Sequence, residues 1–353
     1  MDSFDYGSPR MRVRFGPGRR GEVGDVAEGL GVARALVLAT PGHAGLAEEI
    51  AGLLGARVCA RFAGARMHTP VEVTEAAMAV VARERVDGLV AVGGGSTIGL
   101  AKAIALRTGL PQVAIPTTYA GSEMTDILGE TEGGAKTTRR SEAVRPGAVI
   151  YDVELTRSLP PGLSATSGLN AIAHAVEALY ARDGNPVTAL MAVEGVRALA
   201  AALPAIVADP GDMAARGGAL YGAWLCGLCL GAVSMALHHK LAHVLGGSFD
   251  LPHAETHAAL LPHAVAYNAP AAPEAMARLA RALGGGDAAA GLFDLAGRLG
   301  APRALRDIGM PEDGLDRAVE AAVANPYWNP RPLEVGALGA LLADAWAGRP
   351  PRA

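Results

Sequence analysis

Short apolar runs alternate with amphipathic stretches through the first part of the chain. Ala35–Ala39 (ALVLA) predicts a buried strand ending at Thr40-Pro41-Gly42, and Ala44–Leu54 follows with helical spacing. Arg57–Phe62 reads as a second strand and Pro70–Arg85 as a helix. Gly88–Val92 (GLVAV) is apolar throughout; it runs into Gly93-Gly94-Gly95-Ser96 and a helix through Lys102 to Leu106. Gln112–Ile115 predicts another strand, ending at Pro116-Thr117-Thr118, and Val149–Asp152 closes the series. Strands separated by helices imply right-handed crossovers and a parallel sheet covered on both faces.

After Leu159-Pro160-Pro161 the alternation stops, and from Ser164 the apolar spacing is helical, rich in Ala and Leu. We expect an α/β domain over residues 1–159 and an all-α domain over 160–353, with Arg349–Ala353 frayed. The charge-free run Gly217–Leu237 is long enough to span a bilayer. Its many Gly and Ala residues, and its exit into His238-His239-Lys240, favour a buried core helix, so no membrane contact is expected. Cys226 and Cys229 within it read as small core residues rather than a redox pair.

Composition narrows the classes. Hydrophobic residues make up 50% of the 353 and charged residues 19%, enough for a large core and incompatible with global disorder. The net charge of −4 comes without a basic stripe, which argues against a nucleic-acid partner. Three cysteines cannot staple the chain, and the first residues lack the basic and apolar regions of a leader, so a reducing, cytoplasmic setting is expected.

Two features carry chemistry. The glycine run Gly93–Gly95 with Ser96 lies between a buried strand and a helix. There, backbone N–H groups and the positive helix end can meet a phosphate, although a plain structural turn has the same composition. A second loop, Pro116–Glu123, follows the next strand with Thr, Gly and Ser, and two such loops at adjacent strand ends favour a nucleotide or dinucleotide. Thr40 stands where dinucleotide folds often place an acid on the ribose 2′-OH, so discrimination between NADH and NADPH should be weak. The second feature is histidine placement: six of nine lie between 238 and 263. Asn170 and His174 share one helix face, as do His239 and His243, with His253 ten residues on. Converging histidines point to a metal, proton transfer or an anion site. His253-x-Glu255-x-His257 lacks the offset of a zinc-protease signature.

Long strings of this sequence resemble the iron-containing (group III) alcohol dehydrogenase superfamily. They include PTTYAGSEMT (Pro116–Thr125), EGGAK (Glu132–Lys136), VIYDVELT (Val149–Thr156) and SGLNAIAHAVEALY (Ser167–Tyr180). HHKLAHVLGG (His238–Gly247), LPHAETHA (Leu251–Ala258) and NPYWNPRPLE (Asn325–Glu334) extend the likeness nearly to the end. The resemblance implies the dehydroquinate synthase-like fold: a nucleotide-binding α/β domain, a helical domain, and an active site in the cleft between them. In metal-dependent members one Asp and three His hold the ion. The matching positions here are Asn170, His174, His239 and His253, with His243 at the proton-relaying His. Asn at the Asp position removes the only anionic ligand. That change resembles the branch that reduces the conjugated C=C of maleylacetate to 3-oxoadipate, so activity without a metal is expected.

The resemblance then implies roles. His243 is the expected proton donor, with His239, His174, Lys240 and Asn170 around the developing enolate and His253 beside them. Gly94, Gly95 and Ser96 are expected at the pyrophosphate of NADH or NADPH, with Thr117, Thr118 and Ser122 toward the adenine and ribose and Lys136 near the nicotinamide ribose. Tyr119 and Arg331 are candidates for a substrate carboxylate, although Arg331 reads equally as a surface residue. A small dicarboxylate substrate and a homodimer are expected. A metal-dependent alcohol or ketone dehydrogenase of the same fold, and a non-catalytic dinucleotide-binding protein, are the alternative readings.

Overall fold

A computed structural model describes Phe4, Gly7 and residues 10–352 except Gly134; the side chains of Ala135 and Lys136 lie outside the described residues. Residues 7–159 form one compact unit and 160–353 another.

The N-terminal unit runs β1 (Arg12–Gly16), α1 (Val23–Gly29), β2 (Ala35–Leu38), α2 (Ala44–Leu54), β3 (Val58–Phe62), α3 (Val71–Glu84), β4 (Gly88–Gly93), α4 (Gly95–Thr108) and β5 (Gln112–Pro116). A hairpin, β6 (Ile127–Glu132) and β7 (Ala135–Arg140), precedes β8 (Ala148–Asp152). Six strands form a parallel sheet in the order β1-β8-β5-β4-β2-β3. Both faces are buried because successive side chains point opposite ways. Val37, Val90, Val92, Val113 and Ile150 pack with α1 and α2, while Leu36, Leu38, Leu89 and Ala91 pack with α3 and α4.

Strand order locates a crevice. From β2 the chain steps outward to β3, then returns past β2 to β4 and continues through β5 and β8 in the other direction. The reversal falls between β2 and β4, and open α/β sheets bind ligands outside the carboxyl ends of the strands at such a point. Thr40–His43 follow β2 there, and Gly94–Ser96 follow β4.

The second unit is helical: α5 (Pro161–Tyr180), α6 (Pro186–Ala208), α7 (Met213–Ala232), α8 (Leu237–Phe249), α9 (His253–Asn268), α10 (Pro273–Ala282), α11 (Ala288–Arg298), α12 (Leu315–Ala324) and α13 (Val335–Ala347). Helix α5 packs against α6, α7 and α9, and α8 packs against α9 and α12. At α6–α7 the backbones come close: a Cβ on Gly195 would sit 2.8 Å from Cys226 Sγ. Cys226 and Cys229 are buried in this contact, and burial pushes the Cys229 thiol up to about 12.

The expected single helix over Gly217–Leu237 is corrected. Helix α7 ends at Ala232, the chain extends through Val233, and α8 leaves at 93°. The break has polar causes. Ser234 N–H donates to Asp183, and the N–H groups of Ala236 and His238 donate to Glu177. Among the described residues one helix, α6, is long and apolar enough to cross a membrane, and it lies against α5 and α7.

Candidate active site

In the N-terminal unit, Gly93 ends β4 with φ +148°, and a Cβ there would meet Thr97 Oγ1 at 2.5 Å. A Cβ on Gly94 would press Thr118 at 3.0 Å, whereas Gly95 faces open space. The first-turn amides of the 14-residue α4 therefore stand where a pyrophosphate can approach. Ser96, Thr118 and Ser122 are half-buried around this turn. Thr117 is buried, its Oγ1 without a hydrogen-bond partner, so Thr118 is the threonine at the loop's surface. Thr40 Oγ1 lies 2.9 Å from His43 Nδ1 at the end of β2. The side chain of Lys136 lies outside the described residues.

Tyr119, expected at a substrate carboxylate, is 0% exposed. Lys102, which sequence reasoning passed over as a helix residue, is buried beneath the same loop. Its Nζ donates to Ser122 O (2.6 Å), Thr125 O (2.9 Å), Thr125 Oγ1 (2.8 Å) and Ile127 O (2.9 Å). Desolvation pulls it down to about 7, against the pull of Glu123.

In the helical unit, α5 presents Asn170, His174 and Glu177 at helical spacing. Helix α8 brings His239 to within 5.1 Å of His174 between ring centres. Asn170 Oδ1, His174 Nδ1 and His239 Nε2 are buried without hydrogen-bond partners, an unsatisfied polar patch on otherwise packed helices. Burial drives His174, His238 and His257 well below the ordinary imidazole range, so these rings are neutral. His253 is exposed at the start of α9; its ring lies 4.4 Å from His257, which in turn lies 4.9 Å from His239.

Further along α8, His243 Nδ1 is 3.0 Å from Tyr327 Oη, and Lys240 Nζ lies 5.7 Å from the centre of the Tyr327 ring. Tyr327, Asn329 and Arg331 line a cavity of about 340 Å³. Arg331 stacks on Tyr267 and donates from Nη1 to its carbonyl at 2.9 Å.

Glu177, beside His239, is not singled out by the sequence. It is fully buried and accepts from His239 Nδ1 (2.7 Å), Ala236 N (2.8 Å) and His238 N (2.7 Å). Its signal was available: it sits three residues after His174 on the same face.

Residues 9–153 match the iron-containing alcohol dehydrogenase family, and 164–346 match the family's C-terminal domain. The chain belongs to the iron-containing alcohol dehydrogenase family. A maleylacetate reductase from Sphingobium indicum is 56% identical over 348 residues, 99% of each chain. The crystal structure of maleylacetate reductase from Agrobacterium tumefaciens superposes with a TM-score of 0.97 at 55% identity, over 99% of this chain and 100% of that one. Sulfoacetaldehyde reductase from Bifidobacterium kashiwanohense, solved in complex with NAD+, has a TM-score of 0.91 at 25% identity, over 98% and 100% of the chains.

The family's name implies iron, and the donor set here departs from that family's at one position. Asn170 is a neutral amide where an anionic ligand is wanted. The one carboxylate of the cluster, Glu177, has both oxygens occupied by N–H donors. Among the described residues, no group of three or more His, Cys, Asp or Glu side chains is arranged to hold a metal ion.

Proposed function

We propose that this protein reduces the conjugated C=C of maleylacetate to 3-oxoadipate with NADH or NADPH and without a resident metal. The observation that carries the reading is 56% identity to a maleylacetate reductase over 99% of both chains, with Asn170 in the buried polar patch. The glycine turn after β4 fits a dinucleotide: Gly94, Gly95 and Ser96 would hold the pyrophosphate, with Thr118, Ser122 and Thr40 toward the nucleoside and Lys136 near the nicotinamide ribose. The cofactor supplies a hydride.

The substrate is a dianion, and hydride addition β to the ketone puts further negative charge on the ketone oxygen. Stabilising that charge without a metal requires hydrogen-bond donors and cations. Lys240 and the Asn170 amide are the donors, with His174 and His239 lining the same patch; a carboxylate at position 170 would repel the substrate. Arg331 at the cavity wall offers its remaining N–H groups to a substrate carboxylate. His243 then protonates the enolate carbon.

The test follows NADH oxidation with maleylacetate, and with a simple aldehyde, before and after chelation. Rapid turnover of maleylacetate alone, unchanged by chelator, is expected. Aldehyde turnover that tracks bound iron or zinc would overturn the reading in favour of a metal-dependent dehydrogenase. NADH binding with no turnover of either would mark a non-catalytic binding protein.

A further inference from the structure

We infer that Tyr327 is a positioning and proton-relay residue for His243, a role that rests on the reading of His243 as the proton donor. Tyr327 lies 84 positions beyond His243 and is brought to it by a loop that is tied down at several points. Asn329 and Asn268 exchange a reciprocal pair of amide hydrogen bonds, Asn268 Nδ2 to Asn329 Oδ1 (3.0 Å) and Asn329 Nδ2 to Asn268 Oδ1 (2.7 Å). Tyr267 Oη donates to Pro332 O at 2.6 Å. The loop therefore holds Tyr327 against α8 rather than letting it swing with solvent.

The direction of the His243–Tyr327 bond follows from the chemistry. A neutral imidazole that gives its proton from Nε2 must accept at Nδ1. Tyr327 Oη–H is then the donor across the 3.0 Å contact. As the C–H bond forms on the enolate carbon, the Nε2–H bond breaks. A new Nδ1–H bond forms as the Tyr327 O–H bond breaks, and the phenolate oxygen takes a proton from water. Tyr327 is 36% exposed, so its oxygen has access to that water. Lys240, three residues before His243 and on the same face of α8, has its Nζ 5.7 Å from the Tyr327 ring centre and favours the charge that develops there. The step leaves His243 neutral as its Nδ1–H tautomer; before the next turnover Nε2 takes a proton from water and Nδ1–H is given up to solvent through Tyr327, so the ring need not turn.

Three measurements test the role. Tyr327→Phe removes one oxygen and keeps the ring. It should lower kcat at least about tenfold, less than the roughly 10²–10⁴ of a wholly lost proton transfer because His243 remains, with NADH Kd unchanged. The same change in a His243→Ala background should cost less than about twofold, because the relay has nothing left to feed. Nitrogen-15 spectra of the parent enzyme should show His243 protonated at Nε2 and unprotonated at Nδ1. A Tyr327→Phe kcat within about twofold of the parent, an equal loss in the His243→Ala background, or a parent His243 protonated at Nδ1 would each overturn the proposal. The tautomer measurement needs neither the variant nor turnover. If the parent fails to reduce maleylacetate, the functional reading falls separately from the Tyr327–His243 bond.

Discussion

Glu177 and His239 lie 62 positions apart and meet through a 2.7 Å contact between Oε2 and Nδ1, with the carboxylate fully buried. Two amide N–H groups at the start of α8 already donate to the same carboxylate, so Glu177 both starts that helix and orients the ring that follows. Glu177→Ala should leave three donors unpaired and cost about 3–5 kcal/mol, the penalty for breaking a buried charged network. Denaturant unfolding reads it directly, and a loss under about 1 kcal/mol would contradict the arrangement.

His243→Ala should lower kcat by roughly 10²–10⁴ with NADH affinity unchanged, because the glycine turn belongs to the other folding unit. Steady-state kinetics, NADH Kd and melting temperature on one preparation separate this from packing loss. A folded variant with near-parental kcat would transfer the role to Lys240 or His239.

Thr40 offers no carboxylate to repel a 2′-phosphate. NADH and NADPH should differ in kcat/KM by less than a factor of about 100, a gap of 2.7 kcal/mol. Thr40→Asp should move the ratio at least about tenfold toward NADH through charge repulsion with the phosphate. An unmoved ratio would mean that Thr40 does not meet the ribose.

Lys102 Nζ shares its three N–H donors among four oxygens of Ser122, Thr125 and Ile127. Lys102→Met keeps the length of the side chain but strands buried carbonyls, at a cost of at least about 2 kcal/mol. NADH Kd should rise along with the lost stability, since the loop carries Thr118 and Ser122. Unchanged NADH Kd in a destabilised variant would confine Lys102 to the core.

The fold should be acid-sensitive. His174, His238 and His257 are held neutral well below the usual range by burial, and His263 is pulled down to about 4. The unfolded chain therefore binds protons that the folded chain refuses, beginning near the free imidazole value of about 6.5. Their stabilising contribution is complete above that pH and is lost as pH falls toward and through about 4. Melting temperature should drop steadily over this window. His263→Gln should reduce proton uptake on unfolding by about one; a flat profile would contradict the neutral cluster.

Much of this molecule is readable from its sequence. The apolar runs at Ala35, Gly88, Gln112 and Val149 are strands because only a sheet buried on both faces needs uninterrupted apolar residues. The glycine turn and the Asn170–His174 and His239–His243 spacings follow from local periodicity alone. Elements without an apolar signature escaped: β1 alternates arginine with apolar residues at a sheet edge, α1 contains glycine, and the hairpin β6–β7 is largely polar. The chain break at Val233 was invisible because its cause, the carboxylates of Asp183 and Glu177, lies some 50 to 60 positions away. The same holds for the burial of Tyr119 and Lys102, for Glu177 on His239 and for Tyr327 on His243. Periodicity reports which face of its own element a residue occupies; which partner waits across that face is decided only when distant segments pack.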